Sequence, residues 1–318
     1  MGIFALFYGM PGSYWHSMLS QNVGAILVDQ FIDQYYQPGI FASSKLTSPE
    51  FNRTVFANVP NLRTHSLGGS SHARDREITD EFVRFAETVN QHEQPFFGFL
   101  FYDSPHAYQF PDNYELKFKP SWETVNYFTL NNESDPTPFI NRYKNAVSYT
   151  DSLVGEVLNT LERKQLIRET VVIITSDHGQ EFNDNKKNYW GHNSNFSDPQ
   201  TKVPLVIRWP GKKPRQLEHL TSHFDVAPTL ISDALDCINK PSDYSLGKHL
   251  LNTEATPYFI MSSYSSYAIR DPEQITVVNE FGQMDIFDAS YSKIEDAQPP
   301  LRIISSVMKD MSHFYKRN

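Results

Sequence analysis

Cysteine is nearly absent: Cys237 stands alone among 318 residues, so no internal disulfide can form. Such poverty suits a bacterial chain in the cytoplasm or the periplasm alike. Cys237 lies in the apolar pattern LISDALDCI and reads as a small core residue, not a reactive thiol. No run approaches the ~20 apolar residues that cross a bilayer. Positive charge is short too, with 28 Lys and Arg against 37 Asp and Glu and a formal charge of −9. That balance argues against a general nucleic-acid binder, which needs a basic surface. It leaves open a small anionic substrate, because a local metal or histidine cluster overrides net charge. The opening MGIFALFYGMPGSYW has no basic n-region and no small-residue cleavage site. Ala5 and Leu6 also miss the myristoylation pattern. An apolar, aromatic run at residue 1 looks like the interior of a domain, so the expectation is a domain that begins further upstream. There is no internal repeat and no low-complexity tract.

What is present suits a folded protein: 39% hydrophobic, 20% charged and 14% aromatic residues. The length fits one large α/β domain or about two domains. Residues 1–20 read as a short helix ending at the turn signal GMPGS. GAILVDQFI (24–32) is a buried strand or a short helix. Residues 67–79 form a polar connection leading into a helix from Asp80 to about His92, capped by Thr79. PFFGFLFYDSPH holds a continuous apolar run, a strand buried on both faces that ends in polar groups. Residues 109–137 show no clear period and read as a long surface excursion. From Pro138 to Arg163 an apolar stripe of Tyr143, Ala146, Val147, Thr150, Leu153, Val154, Val157, Leu158 and Leu161 marks a helix. TVVIITS and VPLVIRWPG are strands, and 225–236 is a helix with Asp225 near its start. PYFIMSSY and QITVVNEFG read as a strand pair, followed by a terminal helix from about Pro300. Strands alternating with long helices give an α/β fold, a mostly parallel sheet with helices on both faces. In such sheets ligands gather at the carboxyl ends of strands.

Two strands end in chemistry. ITSDHGQEF breaks off on Asp177 and His178, with Gly179 allowing the turn that brings both side chains to one point. A carboxylate and a neutral imidazole suit Zn or Mn, and more loosely Mg. Two ligands do not make a site, so others must come from elsewhere. His106 in SPHAY and His192 in WGHNSNF offer the remaining polar positions. Each has a bland reading: Asp-His as a turn or cap, His106 as a loop residue after Pro105, His192 as a surface histidine. Taken together on one rim they point to an ion and an anion site. His223 and Asp225 read as structural, Asp225 as an N-cap. GGSS (68–71) lacks the spacing of a phosphate loop and reads as a flexible connector.

In their order and spacing, YDSPHAY, YKNAVSYTDSLVGEVLNTLE, TVVIITSDHGQEF, WGHNSNFSDPQTKVPLVIRWPG and TSHFDVAPTL resemble the sulfatase-like branch of the alkaline phosphatase superfamily. The resembling pieces span roughly residues 95–232. The resemblance implies a sulfatase-like α/β core over 1–240 that lacks its first strand. Residues 241–318 would add a C-terminal strand pair and helix packed on the same core. It implies that Asp177 and His178 are metal ligands, for Mg, Mn or Zn, and that His106 and His192 bind the phosphate or sulfate of the substrate. The nucleophile and one acidic ligand are expected upstream of Met1. The span alone is therefore expected to bind metal weakly or not at all and to turn nothing over. Nearly the whole chain also resembles a narrower group of Gram-negative inner-membrane proteins. That likeness implies membrane attachment through a preceding segment and a place on the periplasmic face. Its implied partners are lipid A, lipopolysaccharide or phospholipid head groups and regulatory membrane proteins.

Three functions are in view. One is a metal-dependent hydrolase or phosphoethanolamine-type transferase of phosphate or sulfate esters. The second is a regulator that kept the fold for lipid sensing. The third is a saccharide-binding domain using the aromatic tract 108–128.

Overall fold

The computed structural model describes residues 1–315 apart from 93 and 194. In chain order the elements begin with three helices, α1 (Gly2–Tyr8), α2 (Trp15–Gln21) and α3 (Ile26–Asp33), then strand β1 (Gln37–Ala42). Next come α4 (Ser71–His92), β2 (Phe96–Phe101), α5 (Ser104–Ala107), α6 (Thr137–Arg163), β3 (Val172–Thr175), β4 (Glu181–Phe182) and β5 (Trp190–Gly191). They close with α7 (Asp198–Thr201), β6 (Leu205–Arg208), α8 (Val226–Asp233), strands β7 (Phe259–Ser262), β8 (Ser266–Arg270), β9 (Ile275–Asn279) and β10 (Met284–Phe287), and α9 (Leu301–Met311). The result is a mixed α/β fold. The chain forms two compact units that interleave along the sequence, one of residues 1–30, 174–205 and 214–318, the other of 31–173 and 206–213.

In the second unit β1 and β2 pair in parallel, Gln37 opposite Phe96 through Ala42 opposite Phe101. α4 and α6 cover them. Ile78, Phe82, Ala86 and Val89 recur at helical spacing along the buried face of α4, and Leu153, Val157 and Leu161 along that of α6. Phe41, Ile78, Phe82, Ala86, Val157 and Leu161 form one buried cluster, with Phe85, Phe96 and Leu100 packed against it. Each fully buried side chain of this size contributes roughly 1.5–3 kcal/mol of transfer free energy. α4 begins at Ser71, not at Asp80: Thr79 is buried in mid-helix, and its hydroxyl donates to the Asp75 carbonyl at 2.7 Å. The polar composition of 71–79 hid a first turn whose carboxylate and arginine are used internally. In the stripe on α6, Val147 is 39% exposed, since it falls outside the arc that meets the core. Every residue of β2 is half-buried, where a strand covered on both faces was expected.

In the first unit β7 to β10 form a four-stranded antiparallel meander in the order β10-β9-β8-β7. The two strands expected to pair, β7 and β9, are separated by β8, whose short SYAIR pattern went unread. Adjacent residues of β8 serve opposite faces, as a pleated strand requires. Ala268 joins Phe196, Ile275 and Tyr291, while Ile269 meets Ile304 and Val307 of α9. GAILVDQFI resolves as helix α3. Asp225 does stand at the N-cap of α8, but its carboxylate accepts from the Ser222 and Lys248 amides at 2.7 and 2.8 Å, not from the first turn of the helix. Cys237 is half-buried.

Candidate oxyanion and metal-ligand site

The first unit brings Asp177, His178 and His192 together. β3 ends at Thr175 and the chain turns over residues 176–180. That turn is set by contact. A Cβ at Gly179 would lie 2.1 Å from the Pro199 carbonyl oxygen, and one at Gly2 1.8 Å from that of Asp177. The Gly179 amide donates to the Gln200 carbonyl at 2.9 Å. Glycine is therefore needed here for close approach of backbones.

His178 Nδ1 donates to the Gly179 carbonyl at 2.8 Å, because a carbonyl can only accept. Its Nε2 faces the Asp177 carboxylate, 3.8 Å from Oδ1. The His178 and His192 rings stack with centroids 4.3 Å apart and planes 26° from parallel. His192 Nδ1 meets Gln180 Oε1 at 3.0 Å. His178 and Asp177 are 36% and 24% exposed, so the pair is open to solvent.

His223 lies beside this arrangement, and reading it as merely structural missed that. Its Nε2 donates to the Ser176 carbonyl at 3.0 Å. Burial pushes its pKa below the ordinary 6.5, with the Asp177 charge and the Ser176 bond pulling the other way. The capping motif Ser222-x-x-Asp225 was legible and places His223 at a helix start, but nothing local says that its ring reaches residue 176. Glu181 was missed as well: it is completely buried among side-chain amides and a hydroxyl.

His106 belongs to the second unit. It stands on α5, beyond the end of β2, with Nδ1 3.7 Å from Asp103 Oδ1 and its side chain 59% exposed. Asp103 is already engaged: Arg74 Nη2 donates to it at 2.6 Å and Ser71 Oγ at 2.7 Å. Beneath it, buried Asp75 accepts from the Asp103 and Ser104 amides at 2.9 and 2.8 Å. Burial raises the Asp75 carboxyl above its ordinary range, and these bonds offset part of the rise. Ser71 of GGSS starts a long helix, and its amide donates to Gln109 Oε1 at 2.9 Å, so that end of the connector is anchored.

The donor set tests the metal expectation. Asp177 and the Nε2 of His178 face one another, but a protein metal site normally needs at least three ligands. Among the described residues no three His, Cys, Asp or Glu side chains are placed to share an ion. The residues here offer two donors, which do not close a site, and no step is routed through a metal below.

A family model described as Sulfatase matches residues 14–235. The chain is 26% identical over 316 residues to "Inner membrane protein YejM" of Salmonella typhimurium, covering 98% of this chain and 48% of that protein. It thus spans about half the length of the curated relatives it matches. Among solved structures it is similar to an alkaline phosphatase superfamily protein of Vibrio parahaemolyticus, with TM-score 0.64 and 17% identity over 100% of this chain and 76% of that one. It is similar also to a phosphonate monoester hydrolase of Silicibacter pomeroyi, with TM-score 0.68 and 14% identity over 98% and 84% of the two chains. No helix among the described residues is long and apolar enough to cross a membrane.

Proposed function

The chain belongs to the sulfatase family, and from that premise we propose that it is the sulfatase-like domain of a Gram-negative inner-membrane protein that senses phosphate- or sulfate-bearing lipid head groups. It faces the periplasm in this reading, attaches to the membrane through a further segment, and serves lipopolysaccharide and outer-membrane lipid homeostasis through regulatory membrane proteins. The observation that carries the reading is the stacked imidazole pair beside a two-donor half-site.

The chemistry follows from the ring nitrogens. Gln180 takes the Nδ1 side of His192, so in the imidazolium form Nε2 donates to an anionic oxygen. His178 is fixed by the Gly179 carbonyl and turns Nε2 toward Asp177. His106, exposed on α5 of the other unit, is a candidate anion contact in its own right. His178 and His192 bind and orient a tetrahedral oxyanion. None of them is placed here as a nucleophile, so binding is the activity the geometry supports. The family match to a protein named for the inner membrane, over nearly the whole chain, supports the membrane context.

A second reading, ester hydrolysis or phosphoethanolamine-type transfer, is favoured by one observation: Asp177 and His178 stand at the end of β3 and face each other as metal ligands would. A bound divalent ion would there polarise the ester oxygen. One set of measurements separates the two. Divalent-ion content, turnover of a phosphomonoester and a sulfate ester, and binding of lipid A and phospholipid head groups are followed on this chain and on the longer natural protein, each with and without Asp177→Ala. Sensing predicts head-group binding without turnover in both lengths. Turnover by the longer protein that vanishes with Asp177→Ala would replace it by the hydrolase.

A further inference from the structure

We propose that Glu181 is the positioning residue of this site. Its buried carboxylate clamps the segment carrying His192 onto the arm carrying His178, and so sets the two rings face to face. The proposal rests on reading Asp177, His178 and His192 as one site.

Glu181 opens β4 and lies opposite Gly191 of β5, directly before His192. That ladder is two residue pairs long, too short to hold a segment by itself. The carboxylate supplies what the ladder lacks. Its Oε2 accepts from Asn195 Nδ2 at 2.9 Å, Ser197 Oγ at 3.0 Å and Gln200 Nε2 at 2.8 Å, and its Oε1 from Asn185 Nδ2 at 3.2 Å. These donors flank His192 on both sides in sequence. Gln200 then closes the ring, because its carbonyl accepts the Gly179 amide next to His178. One anion thereby ties both histidine-bearing arms together.

The residue type is informative. Glu181 is 0% exposed, and among the described residues no Lys or Arg is paired with it. A buried carboxylate without a cation is costly unless its oxygens are fully engaged. A side chain needed only to fill space would be apolar. Bonds to an ionised acceptor are roughly twice as strong as neutral ones, which suits a clamp. Glutamine at this position would offer one acceptor oxygen and push two N–H donors into a nest of donors.

The test uses the whole chain with Glu181→Gln and Glu181→Ala. Three signals are followed by NMR: the NOE between the His178 and His192 rings, the ¹⁵N tautomer signature of His192, and the methyl spectrum of the β7–β10 sheet as a control for folding. The expected result is an unchanged sheet, loss of the cross-ring NOE, and loss of the preference for a proton on His192 Nδ1. A Glu181→Gln protein that keeps the NOE and the tautomer and only melts earlier would overturn the proposal, leaving Glu181 a packing element. Should both variants unfold, Asn195→Ala and Gln200→Ala each remove a single donor. A graded weakening of the NOE supports the clamp, and an unchanged NOE sinks it. A rise in melting temperature with calcium in the wild type but not in Glu181→Gln would also overturn it, in favour of a cation site. No ion, ester or turnover enters the ring measurement, so a failure of the sensing reading and a failure of this one give different results.

Discussion

β2 and β3 both run out into an aspartate followed by a histidine, yet the two ends are built for different work. At the end of β2, Asp103 is neutralised by Arg74 at 2.6 Å and held by Ser71 at 2.7 Å. Its charge is spent on joining the strand end to the first turn of α4. At the end of β3, no Lys or Arg among the described residues pairs with Asp177, which faces the imidazole of His178 and lies near that of His223. Carboxylate and imidazole are the same chemical groups in both places. What differs is the cation next door, and that decides whether a carboxylate is a structural anchor or stays available to a ligand.

The comparison breaks most sharply at the glycine that allows the β3 turn. Gly179→Ala would drive a Cβ to 2.1 Å from the Pro199 carbonyl oxygen, so the backbone must move. A loss of about 3 kcal/mol is expected, at the upper end of overpacking costs, together with loss of the His178–His192 stack. Chemical denaturation and the ring NOE check both parts. Arg74→Ala comes next. It leaves Asp103 without its cation and frees the Ser43 carbonyl, to which Arg74 Nε donates at 2.8 Å. About 2 kcal/mol should be lost, because the partly buried acceptors then lack their charged donor. An unchanged denaturation midpoint would show that Asp103 is no anchor.

A smaller effect separates the ends by pH. His223, near Asp177, has its pKa lowered from 6.5 by burial, so the unfolded chain takes up a proton that the folded chain resists. Its contribution to stability is present above pH 6.5 and is lost as pH falls from there through the folded value. His223→Gln should flatten that slope in denaturation series run from neutral into mildly acidic buffer, and an unaltered slope would remove His223 from the account. Smallest of all, Asp177→Asn should shift stability by no more than about 0.5 kcal/mol, because no Lys or Arg among the described residues loses its partner. If it cost as much as Arg74→Ala, Asp177 would be an anchor like Asp103 and the contrast would be lost.

Much of this was legible in advance. β3 and β6, both helices that cover β1 and β2, and the terminal helix show in runs and periods that need only neighbouring residues. Asp177, His178 and His192 were legible because a strand that stops on polar groups and a glycine is an unusual local pattern. The misses share a different cause. β1 reads QPGIFA, with a proline and a glycine that disguise a strand whose burial comes from packing. The first turn of α4 is polar because Asp75 and Arg74 bond to residues about thirty positions away. Glu181 looks like any surface glutamate until four partners, up to nineteen positions distant, close round it.

The sequence by itself determined the class of the fold, the places where strands end, and the residue types available there, because hydrophobic period and turn chemistry act over a few residues. Only the tertiary structure decided which carboxylate is neutralised, which is buried without a cation, and which histidines stack. Those outcomes depend on the identity of a neighbour brought in from far along the chain. Charge and desolvation respond to that neighbour, not to the local pattern.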